Sequence, residues 1–316
     1  MFIIENENEF LLVGSKATNT TNKLDKGVYN LLIESTGPMS PPRTIFQKTD
    51  IYKNGVVLDT GVFKDARDFI NNFFDDSLVE ARKAMNMKNK VGVMFSGDPG
   101  TGKTFLAGQL AQEISDKYDA IAIIVTAVGD YSSMIDAIRE ADKDRSIVII
   151  IDEFEKTFRS YDPEPLAFLD GSKSRENCMV IATVNNHKDL PTFVTDRPSR
   201  FEKIFKFEFG DKKVLTAIIN NLIPEDYKSK IEVDNLVYQL IDQNNKSIDK
   251  IKHIIRDVIA SYIRQDKTGI KEDIVINIQD DTSIKKVIGF SSQSNCTITL
   301  ENDASKILEE TEFIFN

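Results

Sequence analysis

The stretch Gly97-Asp98-Pro99-Gly100-Thr101-Gly102-Lys103-Thr104 decides how the chain is read. The apolar run Val91-Gly92-Val93-Met94-Phe95 precedes it. Phe105 to Ile114 follows, with apolar residues at helical spacing. Strand, glycine loop, helix is the context that makes a phosphate-loop motif more than a string match. The glycines let the backbone curl with its N–H groups turned inward toward an anion. The helix that starts there adds free N–H groups and the positive end of its dipole. Lys103 reaches the β- and γ-phosphates, the Thr104 hydroxyl holds Mg²⁺, and the loop from Gly97 through Phe105 takes the nucleotide. A glycine-rich turn without a ligand is the competing reading, and the flanking strand and helix count against it.

Downstream the pattern alternates. Ala120 to Val125 is a second buried strand, followed by a helix from about Tyr131 to Ala141. Ile147-Val148-Ile149-Ile150-Ile151 is a β-branched run that fits a central parallel strand covered on both faces, and it ends in Asp152-Glu153. Cys178 to Val184 is a fourth such strand, ending in Asn185. Alternating strands and helices predict an α/β fold with a doubly wound parallel sheet, whose ligand sits at the carboxyl ends of the strands. Asp152 is expected to hold Mg²⁺ opposite Thr104. Adjacent side chains on a strand diverge, so Glu153 faces the γ-phosphate side, where a carboxylate orients and deprotonates the attacking water. Asn185 is placed to orient the same water. Glu155 reads as a solvated helix residue.

Residues 1–64 read as a small β module that precedes the nucleotide domain. Its Asn54-Gly55 pair, between Ile51-Tyr52 and Val56-Val57-Leu58, is a strong hairpin signal. From Asp65 to about Met87 the period becomes helical, with Phe69, Ile70, Phe73, Phe74, Leu78, Ala81 and Met85 on one stripe. The large α/β subdomain spans residues 65–210. Three apolar stripes over residues 211–268 predict a helical subdomain, and residues 269–316 return to β.

Net charge is −10, which opposes bulk attraction to nucleic acid or anionic lipid. Arg82-Lys83 with Lys88 and Lys90 is a local basic cluster, read first as the solvated face of a helix. With Cys178 and Cys296 the only cysteines and His187 and His253 the only histidines, a His/Cys zinc site lacks ligands. Both cysteines read as reduced, which suits the cytoplasm. No apolar run approaches the roughly 18 residues of a membrane span.

The combination resembles the AAA+ ATPases, most closely the AAA branch proper, over about residues 59–264. Gly97–Thr104 matches the family's Walker A motif and Ile147–Glu153 its Walker B motif with the catalytic Glu. Leu166-Ala167-Phe168-Leu169-Asp170-Gly171 is similar to the segment before the family's fourth strand, and Asn185 falls at the sensor 1 position. Arg197-Pro198-Ser199-Arg200-Phe201 is similar to the segment that carries the arginine fingers, although Ser199 replaces the usual Gly. The start of the third lid helix, Ser247-Ile248-Asp249, has no sensor 2 Arg. The resemblance implies an ATPase that uses ATP and Mg²⁺ and forms a homo-oligomeric, hexameric ring acting on a protein substrate or assembly. Arg197 and Arg200 would enter the neighbouring subunit's site, Arg200 foremost. Gly61 and Val62 would contact adenine through their backbone. Tyr131, after Val128-Gly129-Asp130, either grips a polypeptide in a pore or anchors its helix. A DNA-handling ATPase of the loader type and a non-catalytic, ATP-locked assembly module are the alternatives. The acidic charge opposes the first, and an intact Glu153 opposes the second.

Overall fold

The computed structural model describes residues 2–6, 9–12, 20–21, 23–34, 43–53, 57–125, 131–156, 169, 176–197, 200–208, 212–242, 247–268, 274–279, 284–290, 296–302 and 311–313. Its chain divides into two units, Met1–Val214 and Leu215–Asn316.

The first unit is built on a ten-stranded sheet. The strands β4 (Gly27–Glu34), β6 (Lys90–Gly97), β7 (Ile121–Val125), β8 (Ile147–Ile151), β9 (Cys178–Val184) and β10 (Lys203–Phe207) run parallel, in the order β10-β6-β9-β8-β7-β4. Every residue of β7, β8 and β9 is buried, as their unbroken apolar runs require. The expected doubly wound α/β architecture is therefore present.

The N-terminal strands do not form a sheet of their own. β4 pairs parallel with β7, Val28 opposite Ala122, and the sheet continues antiparallel through β5 (Arg43–Thr49), β2 (Glu9–Leu12), β1 (Phe2–Asn6) and β3 (Thr20–Thr21). Val28, Tyr29 and Phe46 are fully buried. An unpaired β7 would expose a row of backbone donors and acceptors, and β4 covers that edge. The hairpin expected at Asn54-Gly55 has no flanking strands. Ile51–Lys53 form a turn and 57–59 belong to no strand, while residues 54–56 lie outside the described residues. The Thr49 hydroxyl accepts from the Ile51 N–H and the Asp50 carbonyl from the Lys53 N–H, so the chain turns directly off β5.

The helical stripe after it forms two helices rather than one, α1 (Gly61–Phe73) and α2 (Asp76–Ala84). Asp75 breaks them apart because its carboxylate caps α2 by accepting from the Ser77 N–H. The stripe's C-terminal members Leu78 and Met85 are exposed. α3 (Lys103–Tyr118) buries Leu106, Ala107, Leu110, Ala111 and Ile114. α1 grips it where Arg67 Nε and Asn71 Nδ2 both donate to Glu113, each at 3.1 Å. α4 spans Tyr131–Ala141 and α5 Thr192–Thr195.

The second unit takes in most of α6 (Lys212–Leu222), then α7 (Glu225–Lys228), α8 (Val233–Asp242) and α9 (Ile248–Thr268). Leu215, Ile219, Leu236, Val237, Ile251 and Ile255 are buried. Strands β11 (Ile274–Gln279), β12 (Ile284–Phe290), β13 (Cys296–Asn302) and β14 (Thr311–Phe313) then form an antiparallel sheet in sequential order.

Candidate nucleotide site

β9 lies between β6 and β8. The loop after β6, the acids after β8 and the amide after β9 therefore meet along one edge of the sheet. In the loop, Gly100 and Gly102 have φ of 76° and 87°, a region side chains other than glycine seldom adopt. Thr101 Oγ1 donates to the Asp98 carbonyl at 2.8 Å and closes the curl. The N-cap of α3 is Gly102, which has no side chain to cap the helix, and this leaves its first N–H groups suited to an anion.

Lys103 is buried, and its Nζ donates to the carbonyls of Gly97 at 2.5 Å and Asp98 at 2.9 Å. Burial pushes the ammonium's pKa down, while the carboxylates of Glu155, Asp152, Asp98 and Glu153 pull it up. An ammonium held in that balance suits a polyanionic ligand.

Asp152 is the junction of the site. Its Oδ1 accepts from the Thr104 hydroxyl and from the Thr183 hydroxyl, each at 2.6 Å. Thr183 on β9 drew no notice in the sequence, being one buried residue of an apolar run. Its hydroxyl also accepts from the Glu153 N–H at 3.0 Å, and its carbonyl accepts from the Phe154 N–H at 2.9 Å. One threonine thus fixes both acids. Glu153 has φ of 50°. A left-handed backbone costs a non-glycine residue about 1–2 kcal/mol. The twist sends the two carboxylates apart: Asp152 meets Thr104, whereas the side chain of Glu153 is 47% exposed and pairs with Lys156. Thr183→Val keeps the side chain's shape and removes both hydroxyl bonds. It is expected to lower stability by about 1–3 kcal/mol in urea unfolding, because the partly buried Glu153 N–H loses its acceptor and the Asp152 carboxylate loses a donor. An unchanged midpoint would mean that Thr183 does not hold the acids.

Glu155 departs from expectation. It is half-buried, its Oε1 accepts from the Asn185 N–H at 3.1 Å, and its Oε2 is buried with no hydrogen-bond partner among the described residues. Its carboxylate is also the strongest charge acting on Lys103. Its only signal in the sequence was its place three residues after Asp152, which an exposed helix residue shares. Asn185 itself is exposed. The next turn is tied to β6, where the Ser96 hydroxyl accepts from the His187 N–H at 3.1 Å and lies 2.9 Å from His187 Nδ1.

The two arginines differ. Arg197 is exposed. Arg200 is 6% exposed, its Nη1 donates to the Phe193 carbonyl at 2.5 Å, and its guanidinium stands 5.5 Å over the Phe193 ring. The side chain expected foremost to reach a neighbour is thus committed to its own chain. Gly61 and Val62 open α1, half-buried. Tyr131 begins α4, but its side chain and Ala127–Asp130 lie outside the described residues, as do Pro198 and Ser199. Of Leu166–Gly171 only Leu169 is described; it is buried, and its carbonyl accepts from Lys90 Nζ at 2.7 Å. That bond removes Lys90 from the basic cluster. Arg82 leaves it too, donating to Phe73 O and Asn89 Oδ1.

The Thr104 hydroxyl and the Asp152 carboxylate are hard oxygen donors, and they fit Mg²⁺, which takes one or two carboxylates and completes its shell with water and phosphate oxygens. Among the described residues no group of three or more His, Cys, Asp or Glu could hold a metal, and a site of this kind needs none. Among the described residues no helix is long and apolar enough to cross a membrane.

Comparison with known proteins agrees with this geometry. Residues 93–209 match the family model of the ATPase family associated with various cellular activities (AAA). The chain is 31% identical over 163 residues to an ATPase with bromodomain protein, abo2, of Schizosaccharomyces pombe, covering 43% of this chain and 14% of that protein. It is 23% identical to an AAA ATPase forming ring-shaped complexes from Corynebacterium diphtheriae, covering 51% and 37%. It is 27% identical to a proteasome-activating nucleotidase of Saccharolobus solfataricus, covering 62% and 53%. The chain thus spans about half or less of these relatives' lengths. The phosphate loop, the acid pair and the family match all fall on one stretch, so the likeness of this chain to the AAA ATPases lies in residues 93–209.

Proposed function

We propose that the chain hydrolyses Mg·ATP and couples that hydrolysis, in a homo-oligomeric ring, to remodelling or moving a protein substrate or assembly. The observation that carries this is the Asp152 junction, which joins the phosphate-loop helix through Thr104 to β9 through Thr183. In this reading the loop N–H groups and Lys103 bind the phosphates, and Thr104 and Asp152 hold the metal. A metal held there would supply charge neutralisation to the phosphates. Glu153, freed from Lys156, takes a proton from the attacking water, which Asn185 helps to orient. Glu155 fixes the Asn185 backbone and so the reach of its amide. Gly61 and Val62 border the adenine. Relatives named as a ring-forming ATPase and as a proteasome-activating nucleotidase support the ring and the protein substrate.

In this reading Arg197 acts on a neighbouring copy, which its exposure supports, Arg200 being buried. Arginine supplied in trans stabilises the transition-state charge and makes hydrolysis depend on assembly. Turnover per subunit is expected to rise with protein concentration. Arg197→Ala should flatten that rise and lower turnover by about 10³-fold or more. Arg200→Ala should lower the thermal midpoint as well, because it strips a buried contact from Phe193. A concentration-independent rate untouched by Arg197→Ala would rule out the shared site.

A further inference from the structure

The segment between β5 and α1 brings one aromatic side chain onto the phosphate-loop helix. Tyr52 is half-buried, and its ring lies over Gly108 of α3. A Cβ at position 108 would stand 2.3 Å from Tyr52 Cε1, 2.4 Å from Cζ and 2.5 Å from Cδ1. The ring therefore occupies the notch that the missing side chain leaves. Its centroid is also 6.1 Å from that of Phe105, which directly follows Thr104. Thr104 and Gly108 are four residues apart on one helix and so share a face. Tyr52 thus packs one turn below the residue that meets Asp152. Burial raises the pKa of its phenol, and the Asp152 carboxylate adds to the rise. A glycine inside a helix lowers its stability, so this one has to be explained by what it admits.

We propose that Tyr52 is a positioning residue of the metal-holding side of the site: its ring, seated on Gly108 and against Phe105, keeps the first turn of α3 where Thr104 meets Asp152. The N-terminal strands, which continue the same sheet, thereby reach the nucleotide site through the turn after β5. This rests on the Mg·nucleotide reading above.

Titration calorimetry with ADP, in Mg²⁺ and in EDTA, tests it on the whole chain and on Tyr52→Phe, Tyr52→Ala and Gly108→Ala, with the thermal midpoint of each. The chain itself and Tyr52→Phe are expected to show the same tightening by Mg²⁺. Tyr52→Ala and Gly108→Ala should each lose about three- to tenfold of it. In Gly108→Ala the gain in helix propensity opposes the cost of displacing the ring, so its midpoint is expected to stay within a few degrees of that of the unaltered chain while the tightening is lost. If both Ala variants tighten like the unaltered chain, or only one of them loses the effect, the proposal falls. Loss in Tyr52→Phe as well would overturn the assignment to the ring. If the unaltered chain binds no ADP, the nucleotide reading itself fails, which is a distinct result.

Discussion

Glu153→Gln should reduce ATP turnover by about 10²- to 10⁴-fold while leaving nucleotide affinity close to that of the unaltered chain. Glutamine keeps the length and the polar end of the side chain but cannot accept a proton. The Glu153 backbone is held independently of its carboxylate, by its N–H on the Thr183 hydroxyl at 3.0 Å and its carbonyl on the Lys156 N–H at 2.8 Å. The left-handed twist that sends Asp152 and Glu153 apart therefore survives the change. Phosphate release and ADP affinity, measured on the same preparation, separate the two effects. Turnover that persists within tenfold would mean that Glu153 is not the base. Affinity lost together with turnover would mean that it shapes the loop.

The second large effect is on stability. Gly92→Ala on β6 puts a Cβ 1.8 Å from the Arg200 carbonyl oxygen and 2.9 Å from its carbonyl carbon. Both are backbone atoms, and the next turn cannot yield, because the Gly92 carbonyl accepts from the Glu202 N–H at 2.9 Å. The approach of Arg200 to β6 depends on hydrogen at that position. Overpacking of this kind costs about 1–3 kcal/mol and more where backbone has to move, a drop of roughly 4–10 °C in thermal midpoint. An unchanged midpoint would show that the segment from Arg197 to Glu202 is free to shift. A lowered one with assembly-dependent turnover also weakened would tie the arginine segment to β6.

The phosphate loop, the acid pair and the buried strands were legible because each is written in consecutive residues. A β-branched run such as Ile147–Ile151 declares a covered strand through its own composition, and a glycine loop between strand and helix declares an anion site through its own backbone freedom. The two-helix break at Asp75 was equally local, and the helical stripe concealed it because a stripe records a face and not a cap. What crosses the chain was not legible. β4 pairs with β7 at Gly27 opposite Ile121, and no pattern in either strand names its partner. Asn54-Gly55 has hairpin chemistry, yet the chain leaves β5 toward α1, where Arg67 takes the Leu58 carbonyl at 2.7 Å.

By itself, then, the sequence determined the α/β class and the position of Lys103, Thr104, Asp152 and Glu153 just past the ends of β6 and β8. Only the tertiary structure decided that Thr183 binds both acids, that Glu155 holds Asn185, that Arg200 is buried while Arg197 is exposed, and that Tyr52 rests on Gly108. The reason is physical. Propensity, periodicity and loop chemistry act between neighbours in sequence, whereas burial, strand partnership and hydrogen bonds such as Thr183 to Asp152, 31 residues apart, are settled by packing the whole sheet at once.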